Sequence, residues 1–172
     1  MNDDTTSGAG EVPERPDLPP PPPPGPGRIT SPAQRLDPES SRFELIEPAV
    51  YLWRQSVNGY EALALIVPAG FDHDFASVPR PLWALISPID LGLASIFHDW
   101  IYQHGGQVET LGWPTGGSGW EPVASPWSRR DTDRLFARIM REQGVPRWRR
   151  RWAFRAVHWF GGDAWRGGDG KG

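Results

Sequence analysis

Two long apolar segments of strand character, "RFELIEPAVYLWRQSV" (residues 42–57) and "YEALALIVPAGF" (residues 60–71), follow one another with only Asn58-Gly59 between them. Asn-Gly between two such runs is the strongest short-range hairpin signal, so the pattern predicts two antiparallel strands. In "GFDHDFASVPRPLWALISP" Gly70 marks a turn, Ser77 can cap, and Pro79 and Pro81 leave room only for a short helix near 80–86. The next stretch, "DLGLASIFHDWIYQH", predicts a helix opening at Asp90 and stopped by Gly105 and Gly106. Its 3.6-residue period puts Leu91, Ala94, His98, Ile101 and Tyr102 on one face. Asp99 falls about 100° round the helix, beside Ser95 and Tyr102.

Residues 105–127 are rich in Gly, Pro and Ser and predict a long loop in which Trp113, Trp120 and Trp127 pack locally. A further helix starts at Ser128 as N-cap, with Asp131 in the capping-box position, and ends at Gly144. Asp133, Phe136 and Met140 recur at i, i+3, i+7, which turns Asp133 inward among apolar neighbours. The last helix, in "VPRWRRRWAFRAVHWFGG", is expected to bury Trp148, Trp152, Ala156 and Trp159 and to expose its arginines. Residues 1–40 read as a disordered arm whose "PDLPPPPPPGPG" run adopts polyproline II at most. Residues 41–163 form a single globular domain, and 164–172 a flexible Gly-rich tail. The fold class expected is α+β: a small antiparallel sheet or hairpin packed by three or four helices.

Composition narrows the chemistry. A chain of 172 residues suits one domain, and a net charge of -3 gives no global attraction to nucleic acid or acidic membranes. Any such partner must be read by a local patch, and the arginines of the last helix, with Arg149, Arg150 and Arg151 at its centre, are the candidate for lipid or phosphate contact. Arginine stems also commonly cover a core while their heads stay in water. Without cysteine there is no thiol catalysis, thiolate metal site or disulfide. The start "MNDDTTSGAGEVPERP" has neither basic nor apolar character, which argues against a Sec leader, and no run approaches the roughly 20 apolar residues of a membrane span. A chain without disulfides suits the cytosol.

His98 and Asp133, inward on two helices, suggest that Asp133 orients and charges the imidazole, making its free nitrogen a general base for water. Asp99 is then available, with Asp74 upstream, to hold a hard cation such as calcium. Ser77 is a candidate nucleophile for His98 to activate, although no Gly-x-Ser-x-Gly elbow surrounds it. The same His-Asp pair equally fits a satisfied polar network that fixes helix register.

"VPAGFDHDFASVPRPLW", "IFHDWIY", "SRRDTDRLF" and "AVHWFGG", in this order, resemble the phage and prophage family catalogued as domain of unknown function 1353. The resemblance implies a phage or prophage origin with virion or lysis genes nearby, a location in a host cytoplasm or a virion, and no established activity. At the level of the site, His98-Asp99-x-x-Tyr102 with a distant Asp133 is similar to the core of secreted phospholipases of the A2 type. That likeness implies His98 as base, Asp99 as calcium ligand, and Tyr102 and Asp133 as supports of the histidine. The leading expectation is a metal-assisted hydrolase of lipid esters or a related bond. The alternatives are a non-enzymatic virion or tail-associated protein partnered by other phage structural proteins, and a module that binds an anionic membrane surface or nucleic acid.

Overall fold

The computed structural model describes residues 16–37, 42–73, 88–124, 127–160 and 165. The described chain runs β1 (Arg28–Ile29), β2 (Gln34–Asp37), β3 (Arg42–Leu45), β4 (Ala49–Val57), β5 (Tyr60–Val67), β6 (Asp72–His73), α1 (Pro88–Gln103), β7 (Thr110–Pro114), β8 (Glu121–Val123), α2 (Arg129–Glu142) and α3 (Arg147–Phe160). The class is α+β as expected, but sheet dominates: a five-stranded antiparallel sheet in the order β1-β4-β5-β7-β8 and a three-stranded one in the order β2-β3-β6. A small hairpin was too modest an expectation.

The hairpin itself forms where the sequence places it. Asn58 and Gly59 both take positive φ, 50° and 86°, the signature of a two-residue type I′ turn, and Val57 pairs with Tyr60. From this turn the register brings Tyr51 opposite Leu65 and Trp53 opposite Leu63, all on the face that carries the helices. Val50, Leu52, Ala64 and Leu111 point the other way and form a second apolar cluster.

That second cluster explains the first correction. "AVYLW" and "ALALIV" are continuous apolar runs rather than strict alternations, so both faces of the strands need cover. The Pro-rich segment supplies part of it: Leu18 and Trp120 pack on the outer cluster, Trp120 Nε1 donates to Pro19 O at 2.9 Å, and Arg54 Nε donates to Pro22 O at 2.8 Å. Residues 16–37 therefore lie against the domain, with β1 paired to β4 and β2 to β3, whereas the sequence predicts an unattached arm up to residue 40. Gly27 lets the segment approach closely, since a Cβ there would stand 2.4 Å from Tyr51 Cε2. Its N–H donates to Glu142 Oε2 at 3.0 Å, and the same oxygen accepts from the Tyr51 hydroxyl at 2.6 Å.

The second correction concerns residues 105–127, which hold β7 and β8 rather than a plain loop. Gly112 hides β7 from a propensity reading, and the structure requires it: the Tyr60 ring lies over it, and a Cβ would come within 2.4 Å of Tyr60 Cδ1. Pro122 is tolerated because β8 is the outer strand of the sheet. Trp113 and Trp120 pack edge to face at 5.5 Å, the local packing expected of them.

Helix α1 begins at Pro88, a residue preorganised for the first turn, two positions before the expected Asp90. The short helix expected near 80–86 lies outside the described residues, as does Leu91's side chain. At its end Gly106 N–H donates to Ile101 O and Gly105 N–H to Tyr102 O, a Schellman closure. Ser128 caps α2, accepting from Asp131 N–H at 3.1 Å. Trp165, expected in a loose tail, packs edge-on against Tyr102 at 5.0 Å.

Helix α3 supplies the third correction. Its inner face is Ala153 and Val157, whereas Trp148 is 50% and Trp152 44% exposed. The expected burial of Ala156 and Trp159 falls outside the described side chains. Periodicity alone finds an apolar stripe; it does not say which of two stripes meets the core.

Candidate functional site

Helices α1 and α2 pack antiparallel: His98 meets Phe136 at 5.1 Å between rings and Asp133 on its Nε2 side, while Tyr102, one turn later, meets Asp133 and Arg129. The shared apolar face predicted for α1 is observed in its described members, with Ala94, His98, Ile101 and Tyr102 all buried. Asp133 faces inward as its spacing predicts and is 1% exposed. Four polar side chains thus converge inside the helical layer, and each must find partners there.

The partners are mutual. His98 Nε2 lies 3.3 Å from Asp133 Oδ1, and the same oxygen accepts the Tyr102 hydroxyl at 2.6 Å. Arg129 Nε donates to the Tyr102 oxygen at 3.3 Å, and the Tyr102 ring stacks on the imidazole at 4.0 Å. On the other side His98 Nδ1 lies 3.4 Å from Asp99 Oδ1. The sequence predicts a free ring nitrogen and an Asp99 turned to another task; instead the imidazole stands between two carboxylates.

This placement decides the charge state. Burial favours the neutral ring, but the hydrogen bonds to Asp133 and Asp99 and their two charges outweigh it and hold the His98 pKa above its ordinary 6.5. Burial alone would raise the Asp133 carboxyl; its bonds to His98 and Tyr102, with the charges of His98 and Arg129, hold it below 3.8. Tyr102 is pushed well above 10.0, first by burial and then by its bond to Asp133, with Arg129 partly opposing. At neutral pH the cluster is therefore a carboxylate, a neutral phenol and an imidazole poised to hold a proton.

The other sequence candidates separate from this cluster. Asp74 and Ser77 lie outside the described residues. Of the two expected cation ligands only Asp99 is described, and among the described residues no group of three His, Asp or Glu side chains is placed to hold a metal ion. Arg149 and Arg150 are half-buried on α3, and of the three central arginines Arg151 is the exposed one. Sequence reasoning missed Arg129 and Trp165, the outer partners of Tyr102; Arg129 follows the cap Ser128, a position where its charge reads as ordinary helix surface.

A family model described as "Protein of unknown function (DUF1353)" matches residues 47–157, a span that contains His98, Asp99, Tyr102 and Asp133. No curated protein and no solved structure matches the chain.

Proposed function

The chain belongs to the family described as protein of unknown function DUF1353, and from that premise we propose a phage- or prophage-encoded hydrolase of esters, lipid esters foremost, with His98 as its base. One observation carries the reading. Asp133 Oδ1 receives both the Tyr102 hydroxyl at 2.6 Å and His98 Nε2 at 3.3 Å, so the imidazole is oriented by a carboxylate that a phenol itself supports, while Nδ1 faces Asp99 Oδ1 at 3.4 Å. A water-activating histidine needs one nitrogen held and the other able to reach water, so in this reading Asp99 turns aside from Nδ1 when substrate enters.

In the reaction His98 Nδ1 takes a proton from water as its oxygen attacks the ester carbonyl. The imidazolium, stabilised by Asp133, then returns the proton to the departing alkoxide as the C–O bond breaks. The described residues do not complete a cation site, so no step is routed through calcium.

The test is release of fatty acid from phospholipid vesicles by the full chain, run with calcium and with a chelator. Wild type is expected to hydrolyse, and His98→Gln to lose at least about a hundredfold in rate while melting as a folded protein. Absence of hydrolysis by the wild type in both arms, or an unchanged rate in His98→Gln, would end the proposal.

Burial favours a second reading. His98 is 4% and Asp133 1% exposed, which suits a non-enzymatic protein whose polar network fixes the register of α1 on α2. It predicts no hydrolysis and a cooperative loss of stability in every variant of the cluster.

A further inference from the structure

We propose that the outward face of α3 is a docking surface for an anionic phospholipid bilayer, with the helix lying in the plane of the interface. The proposal stands independently of whether His98 catalyses anything.

It starts from the indoles that leave the core. Trp148 and Trp152 are one turn apart, share a face, and are 50% and 44% exposed, while Ala153 and Val157 already provide the contact with the core. Two neighbouring exposed indoles need a reason, because tryptophan carries a large apolar payload. Arg147, Arg151 and Arg155 are exposed beside them, and "RWRRRWAFRAVHWF" contains no acidic residue. Cation and indole on one helix face match a surface with phosphate outside and acyl chain beneath.

The ring geometry separates a bilayer from a nucleic acid. The Arg149 guanidinium lies 5.2 Å over the Trp148 ring and that of Arg155 5.8 Å over Trp152. A ring face covered by a guanidinium is not offered to a base for stacking, the main contribution of aromatic residues to single-strand binding. An indole edge can still enter the headgroup region with the guanidinium beside it. Net charge does not separate the two: the whole chain is at -3, so attraction to either polyanion is confined to this patch. No helix among the described residues is long and apolar enough to cross a membrane, so contact through α3 means lying on the bilayer.

The experiment is cosedimentation of the full chain with vesicles of phosphatidylcholine alone and of phosphatidylcholine with phosphatidylglycerol. Binding to the mixed vesicles is expected, weakening as salt is raised. Trp148→Ala with Trp152→Ala should reduce affinity by about tenfold or more, and Arg147→Glu with Arg151→Glu and Arg155→Glu should abolish it. Failure of wild type to bind mixed vesicles at low salt overturns the proposal, as does equal binding to both vesicle types. Release from the mixed vesicles by an oligonucleotide carrying less phosphate than the lipid would assign the surface to nucleic acid and overturn it too. Should a variant unfold, the wild-type comparison of the two vesicle types still decides.

Discussion

The hydroxyl of Tyr102 donates to Asp133 Oδ1 at 2.6 Å across the seam between α1 and α2, and that oxygen is also the one facing His98 Nε2. Removing only the hydroxyl separates its role from that of the ring. Tyr102→Phe keeps the stacking on His98 and should cost about 1.5–3 kcal/mol in a urea unfolding titration, as expected for a bond to a buried charge. A cost near zero would mean that Asp133 finds another donor.

Stability should depend on pH on two flanks. The His98 pKa is raised on folding, so its contribution is complete below 6.5 and fades as pH rises through the folded value. The Asp133 pKa is lowered, so its contribution is complete above 3.8 and fades as pH falls through the folded value. Melting temperature against pH, wild type minus His98→Gln, should therefore be greatest between these two ordinary values and decline on the alkaline side. A difference that grows with pH would contradict the clamped imidazole.

Hydrolysis, where it occurs, should follow the opposite limb. A base must be unprotonated, so the rate should rise as pH passes the raised His98 pKa and level off above it. A rate that peaks below pH 6.5 would require a different base.

Glu142 joins three parts of the molecule: its Oε2 accepts from Gly27 N–H and the Tyr51 hydroxyl, and its Oε1 from Arg138 Nε at 2.9 Å. Glu142→Ala should lower stability by on the order of 3 kcal/mol and hasten tryptic cleavage after Arg28. Unchanged cleavage would show that Leu18 and the prolines hold the segment without this carboxylate.

Gly112→Ala should cost about 1–3 kcal/mol, because the added methyl meets the base of the Tyr60 ring rather than a mobile tip. Tyr60→Ala in the same chain should recover part of that loss. Additive costs in a double-mutant cycle would place the strain elsewhere.

The legible parts of the chain were those whose signals are local. Asn58-Gly59, Ser128 with Asp131, and Gly105-Gly106 each define an end from their own neighbours, so the hairpin, α2 and the stop of α1 are where the sequence puts them. The pairing of His98 with Asp133 was legible because two helical periods both turn a charge inward. What escaped depends on distant chain. The Pro-rich segment is held because Val50 and Leu52 offer an outer apolar face to Leu18, β1 pairs with β4 with Ile29 on the inner core, and β7 fits because Tyr60 fills the space over Gly112. Trp148 and Trp152 escaped for another reason: a helix with two apolar stripes gives periodicity no means of choosing the inner one. The contact of Asp99 with His98 Nδ1 escaped because its angle round the helix says nothing about the rotamer that brings it there.

The bond between Gly27 and Glu142 spans 115 positions of sequence. Synthesis runs from the N-terminus, so residues 16–27 are made well before Glu142, the acceptor of the Gly27 N–H. A stretch of consecutive prolines is stiff, has few amide hydrogens to donate, and resists pairing with the wrong strand in the interval. The proline run thus covers the outer face of the sheet, through Leu18 and the carbonyls of Pro19 and Pro22, while offering its neighbours almost no donor for strand pairing.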